Sequence, residues 1–255
     1  MKNIRKMNKM KHIAQSMMVL MAVVLLMTAA GGCQKDLWFN HNHFIGSGNV
    51  ISEVRNVGYF SGIRLSGSGI VYVTQGPDLH LEIQAEDNIM PIISTRVSGE
   101  TLVVDTDYSF SSSFGIKIYV TMPDIHSFEL QGDFKVLGQN RLHTGNLDIE
   151  ITGTGYVELD VDADKIFTEI SGAGHINLSG SADSHSLVIS GAGNLQAENL
   201  EVKVYDIVVS GSGNCWINVL QTLSVSITGS GNVYYRGNPG SVISNISGTG
   251  KVVKM

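Results

Sequence analysis

From residue 126 onward apolar and polar residues alternate, and paired glycines interrupt the alternation at regular intervals. The interruption reads Ile151-Thr-Gly-Thr-Gly-Tyr-Val157, Ile170-Ser-Gly-Ala-Gly-His-Ile176, Ile189-Ser-Gly-Ala-Gly-Asn-Leu195, Val209-Ser-Gly-Ser-Gly-Asn-Cys215, Ile227-Thr-Gly-Ser-Gly-Asn-Val233 and Ile246-Ser-Gly-Thr-Gly-Lys-Val252. Its leading apolar residues lie 19, 19, 20, 18 and 19 positions apart. Alternation with period two puts successive side chains on opposite faces of a strand, and a constant period of this length marks a stack of equivalent coils. The pattern predicts an all-β fold, a parallel β-helix-like solenoid with coils of about 19 residues.

Two earlier copies, Leu65-Ser-Gly-Ser-Gly-Ile-Val71 and the degenerate Leu130-Gln-Gly-Asp-Phe-Lys-Val136, extend the series. The 65 residues between them have room for about three more coils of this period. Strand patterns recur there at Leu79–Ala85, Thr101–Asp105 and Ile116–Val120, and Ser98-Gly99-Glu100 reads as a hairpin turn. The head, 49–255, thus divides into an irregular section, 49–125, and a regular one, 126–255. Aligned on the leading residue, the copies sort into columns. Val71, Val136, Val157, Ile176, Leu195, Cys215, Val233 and Val252 form one inward column. Ile63, Phe128, Ile149, Thr168, Leu187, Ile207, Val225 and Ser244 form another, and Cys215 reads as a small core residue. The paired glycines are expected to supply backbone angles closed to other residues, with the neighbouring Ser and Thr bonding along the stack.

The N-terminus carries Lys2, Arg5, Lys6, Lys9 and Lys11, then the apolar run Met17–Ala30, then Ala30-Gly31-Gly32-Cys33. This order reads as a lipoprotein signal peptide over 1–32, with Cys33 as the lipid attachment point. Residues 33–48, including His41 and His43, read as a tether. Gln34-Lys35-Asp36 resembles the short charged export signals of Bacteroidetes surface lipoproteins, so the expected location is the cell envelope, on the outer membrane and facing either the periplasm or the exterior. Removing the leader takes five of 17 basic residues and none of 23 acids, leaving a balance near −11. Nucleic acid is excluded as a partner by that sign. With Cys33 lipidated, Cys215 has no partner for a disulfide within the chain.

Several blocks in order carry a family resemblance. They are Phe60-Ser-Gly-Ile-Arg-Leu-Ser-Gly-Ser-Gly69, Ala85-Glu-Asp-Asn-Ile89, Leu102-Val-Val104, Ile116-Lys-Ile-Tyr-Val-Thr-Met-Pro123 and the Ser-Gly-Ala-Gly-Asn series. From Val54 onward the chain resembles the putative auto-transporter adhesin, head GIN domain family. The resemblance implies a β-helical fold and an adhesive or ligand-binding role, and it brings no catalytic motif.

Two outward columns carry candidate chemistry. Immediately before the leading residue stand Glu129, Glu150 and Glu169, a ladder of acids on successive coils with no evident basic partner. Spacings of one and two coils, about 4.8 Å and twice that, approach those of glycosidase carboxylate pairs and would also suit calcium. Solvated surface is the plainer reading. Asp160, Asp162 and Asp164 lack the glycine and distal Glu of a calcium loop and read as an exposed corner. Seven residues after the leading position stand Glu158, Asn177, Gln196, Trp216 and Tyr234. Aromatic rings beside amides suit a sugar, which stacks its C–H faces and pairs its hydroxyls. They would equally cover the sheet or meet another subunit. The histidines His80, His126, His143, His175 and His185 are scattered, and no catalytic triad order, phosphate loop or metal spacing emerges. The sequence therefore predicts a cofactor-free binding module for a surface polymer or glycan, held to membrane by its lipid alone. A polysaccharide lyase or glycoside hydrolase and a self-assembling head or stalk, a homo-oligomer, are the alternatives.

Overall fold

The computed structural model describes residues 43–255. The signal peptide and Cys33 lie outside the described residues. The glycine-marked copies stack as the rungs of one parallel sheet. Strands β9 (Ser127–Gly138), β10 (Leu142–Ile151), β11 (Tyr156–Ile170), β12 (His175–Ile189), β13 (Asn194–Val209), β14 (Cys215–Ile227), β15 (Val233–Arg236), β16 (Ser241–Ile246) and β17 (Val252–Lys254) form the regular section. Leu130 pairs with Ile151, Ile151 with Ile170, Ile170 with Ile189, and so on to Ile246. The second column runs in the same register from Val136 through Cys215 to Val252. Both columns are buried as expected, up to the last coil, where Ser244 and Ile246 are exposed because no further coil covers them. The 20-residue interval is absorbed by a bulge. Between Gln196 and Asn199 two residues, Ala197 and Glu198, stand opposite the single Leu178.

The irregular section departs from three additional coils. Strand β3 (Gly62–Gln75) lies directly on β9, in register from Gly62 opposite Ser127 to Val73 opposite Gly138, so the two copies 65 residues apart in sequence are adjacent rungs. On the other side of β3 stand β6 (Thr101–Thr106) and β8 (Lys117–Met122), both parallel to it and together making one further rung. Antiparallel strands then close that end. Strand β4 (His80–Glu86) pairs with β8, β2 (Val50–Val54) with β4, and β5 (Ile93–Ser98) with β6 through a hairpin whose Gly99 has φ +63°. The hairpin turn is where the sequence put it. Residues 43–48, read as the end of the tether, belong to the head. Strand β1 (Phe44–Ile45) pairs with β7 (Phe110–Ser111), and Gly48 N–H donates to Glu86 at 2.9 Å. Glu86, buried although a carboxylate, also accepts from the Ser112 hydroxyl and so joins two loops.

The glycines of the regular turns act by a different physics from that expected. Among the turn glycines of the copies, Gly67 and Gly132 alone have positive φ. At Gly153, Gly172, Gly191, Gly211, Gly229 and Gly248 a Cβ would instead collide with the carbonyl oxygen of the glycine one coil earlier. Side chains are excluded because successive backbones touch. Backbone groups, more than the Ser and Thr side chains, then carry the ladder around the corner. Ala173 N–H donates to Gly153 O at 3.0 Å, Ala192 to Gly172 O at 3.0 Å and Ser212 to Gly191 O at 3.0 Å. Thr152 Oγ1 makes the corresponding side-chain bond, to Leu130 O at 3.3 Å.

A polar cluster interrupts the apolar interior of the regular stack. His185 is buried, with Thr168 Oγ1 2.9 Å from its Nε2 and the Tyr205 hydroxyl 3.4 Å from its Nδ1. Burial lowers its pKa to about 3, which keeps the ring neutral. Cys215 is also buried, its thiol pushed up to about 12. That is the inert core role its column predicts.

Candidate functional site

Each coil presents outward positions on both sides of its glycine turn, so the stack has two outer faces. On the first, the column seven residues after the leading position runs Tyr119, Tyr72, Leu137, Glu158, Asn177, Gln196, Trp216, Tyr234, Val253. Asn177, Gln196, Trp216 and Tyr234 are thus in line on successive rungs. The Trp216 and Tyr234 rings are stacked, with centroids 5.4 Å apart and planes at 12°. At this separation the rings are offset and one face of each is covered by its partner. The pair carries ring edges, an indole N–H and a phenol hydroxyl. Both residues are partly exposed.

The same column holds a second pair that the sequence reading missed. Tyr72 and Tyr119 stack at 4.9 Å and 12°. Tyr72 follows Leu65 by seven residues, the offset at which Trp216 follows Val209. The signal was present, but 65 residues of sequence concealed that Leu65 is a neighbour in the stack. One position over on this face, Tyr156 and His175 stack at 5.8 Å and 1°. The Tyr156 hydroxyl donates to Glu158 at 2.7 Å, which raises its own pKa. Alongside, Asn194, Asn214 and Asn232 staple successive turns, with Asn214 N–H donating to Asn194 Oδ1 at 2.9 Å and Asn232 N–H to Asn214 Oδ1 at 3.1 Å.

The second face carries the acidic ladder. Glu129, Glu150 and Glu169 occupy consecutive rungs, as their spacing predicts. The expectation that they lack a basic partner is corrected by the position of β3. Arg64 stands in the same column, opposite Glu129. Its Nε and Nη2 donate to the two Glu129 oxygens at 2.5 and 3.0 Å, so one carboxylate is engaged in a bidentate pair. Glu150 has its pKa raised, first by partial burial and then by Glu129 and Glu169 on either side. Beside the ladder lies a hollow of about 420 Å³ lined by Asn146, Asp148, Lys165, Phe167, Val204 and Asp206 among others. Asp148, Phe167, Ser186 and Asp206 lie on successive rungs. The two hollow carboxylates are therefore three rungs apart, roughly 14 Å and beyond the separations of glycosidase pairs.

Of the corner acids, Asp160 pairs with Arg141 at 3.0 Å, and Asp162 accepts from Ser181 at 2.9 Å. Asp162 and Asp164 are exposed, as a solvated corner requires. No group of three His, Cys, Asp or Glu side chains among the described residues is gathered to hold a metal ion. No helix among them is long and apolar enough to cross a membrane.

Fold and faces together define a capped β-solenoid that presents flat sheet surfaces. A family model described as putative auto-transporter adhesin, head GIN domain, matches residues 59–239, and the chain belongs to that family. It is similar to the crystal structure of a putative adhesin from Bacteroides fragilis, with 28% identity, a TM-score of 0.79, and coverage of 83% of this chain and 100% of that one. A putative adhesin from Parabacteroides merdae shares the fold at 20% identity and a TM-score of 0.63, covering 84% and 99% of the two chains. A putative lipid binding protein from Parabacteroides distasonis does so at 19% and 0.68, also covering 84% and 99%. No curated protein matches the sequence. The family and two of these three structures are described as putative adhesins.

Proposed function

We propose that the protein is an extracytoplasmic, adhesin-like lipoprotein that binds a surface polymer or glycan through its first face. The leader exports it, Cys33 carries the lipid, and the head reaches outward on a short polar tether. The carrying observation is the stacked Trp216–Tyr234 pair in line with Gln196 and Asn177. Flat apolar ring surface beside amide donors and acceptors matches a sugar, whose rings offer C–H faces and whose rims offer hydroxyls. The chain acts by binding and needs no cofactor.

The likeness to a lipid binding protein supports the fold alone at that identity. The hollow's carboxylates are too far apart to share one glycosidic bond, whereas Glu150 and Glu169 stand one rung apart, so the polysaccharide-degrading alternative is decided by assay. The test is retention of the full-length protein on immobilised polysaccharides, comparing wild type with Trp216→Ala/Tyr234→Ala. Unchanged retention in the double variant removes this face from the reading, and release of reducing or unsaturated sugars overturns the binding role itself.

A further inference from the structure

The Trp216–Tyr234 pair has a counterpart at the other end of its own column. Five rungs separate Trp216 from Tyr72, roughly 24 Å, and seven separate Tyr234 from Tyr119, roughly 34 Å at the strand spacing of a sheet. The Tyr156–His175 pair stands between them on the neighbouring outward column, so ring pairs are distributed over the length of the stack. A globular ligand or a single sugar would meet one of these pairs. A ligand that meets all three must be long, narrow and aligned with the stacking direction, across the strands.

The chemistry of the column narrows the class. In a head of marked acidic balance, the positions from Asn177 to Val253 hold no charge, and the one carboxylate between Tyr119 and Val253 is Glu158, which accepts a hydrogen bond from Tyr156. A polyanion would meet Glu158 and, beside it, Asp160. A polycation would meet Lys117, Lys135 and Lys251, which lie one outward position away. A neutral chain rich in hydroxyls meets neither penalty, and it finds amide groups at Asn177 and Gln196 and phenol hydroxyls at both ends.

Resting on the proposed binding role, we infer that the column from Tyr119 to Tyr234 is one continuous track for a single neutral, unbranched polysaccharide chain lying along the solenoid axis. The two end pairs grip it, and the amide-bearing middle rungs hold its hydroxyls. Binding strength accordingly depends on chain length until the ligand spans both end pairs.

The experiment uses the full-length protein with cellulose, β-1,4-mannan and chitin as neutral polymers, polygalacturonate as an acidic one, and trisaccharides of the neutral sugars as competitors too short to bridge the ends. Tyr72→Ala/Tyr119→Ala and Trp216→Ala/Tyr234→Ala are compared with wild type. Asn177→Arg, a bulky charge at mid-track that removes neither pair, is the third variant, and thermal melting verifies that each is folded. The expected result is retention on at least one neutral polymer that falls about tenfold in each double variant. It also falls in Asn177→Arg, while trisaccharide binding, which engages one pair at a time, falls less than polymer retention in either double variant. If Trp216→Ala/Tyr234→Ala weakens retention and Tyr72→Ala/Tyr119→Ala does not, the binding role stands and the track is overturned. Preference for polygalacturonate overturns the neutral class. Retention on none of the polymers overturns the track and the binding role together.

Discussion

The regular stack and the section that precedes it use the same rung but are held by different means. From β9 to β17 each coil is positioned by contact of backbone on backbone. Gly211 lies against Gly191 and Gly229 against Gly211, with a backbone hydrogen bond threading every corner. From residue 43 to 126 the rung formed by β6 and β8 is finished by antiparallel strands and by side-chain anchors such as Glu86. The comparison shows what each device is for. Glycine contact copies one rung onto the next and can be repeated without limit, whereas a buried carboxylate bound to loops is specific to one place and terminates the series. A sheet end left bare invites pairing with other chains; the antiparallel strands cover the parallel rung and leave the short strands β2 and β5 as the edges.

The largest way to break the contrast is Gly211→Ala. Its Cβ would meet backbone that cannot rotate away, and denaturant unfolding should report a loss of roughly 3 kcal/mol. Gly58→Ala, with no heavy atom within 4 Å of the added Cβ and no positive φ, is the matched control and should change stability by less than about 1 kcal/mol. An equal effect at both sites would sink the steric account of the repeat.

In the capped section, Glu86→Ala leaves the Gly48 N–H and the Ser112 hydroxyl without their acceptor. A loss of about 2 kcal/mol is expected, with hydrogen exchange accelerating first at residues 43–49. Uniform acceleration across β11–β14 would instead mean that the two sections unfold as one.

Within the stack, His185 gives a pH signature. Its folded pKa is depressed to about 3, below the ordinary value of 6.5, so between those values the unfolded chain binds a proton that the native chain does not. Stability is therefore full above pH 6.5 and falls as pH drops, by up to about 1.4 kcal/mol per unit from this group. His185→Gln should flatten that limb of a stability–pH curve measured by denaturant titration.

The smallest effect is expected at the seam. Arg64→Ala removes the pair joining β3 to β9, but both partners are partly exposed, and a cost below about 1 kcal/mol is expected. Removal of the cation also raises the pKa of the neighbouring Glu150 further, which carboxylate titration by NMR would detect.

Much of this fold is readable without coordinates because a stacked coil turns distance in sequence into distance in space at a constant rate. Columns such as Val136 to Val233 follow from counting, and so does the Trp216–Tyr234 alignment. Counting fails wherever the chain leaves the stack and returns. Residues 76–126 depart after β3 and come back at β9, which hid both the Arg64–Glu129 pair and the kinship of Tyr72 with Trp216. The glycines were legible as turns, yet their reason was not. A sequence gives no sign whether a missing side chain serves a backbone angle or a neighbour's carbonyl. His185 was likewise invisible as a core residue, because its partners Thr168 and Tyr205 come from other rungs.

Because each interior rung rests on the previous one through the same glycine contact, the unit 171–189 is interchangeable with the gap it fills. Duplicating it would insert one more rung and lengthen the flat face by about 4.8 Å, leaving the aromatic residues at either end unaltered in their immediate surroundings. Deleting it would shorten the face by the same step. The reach of this surface is thus set by a whole number of tandem units.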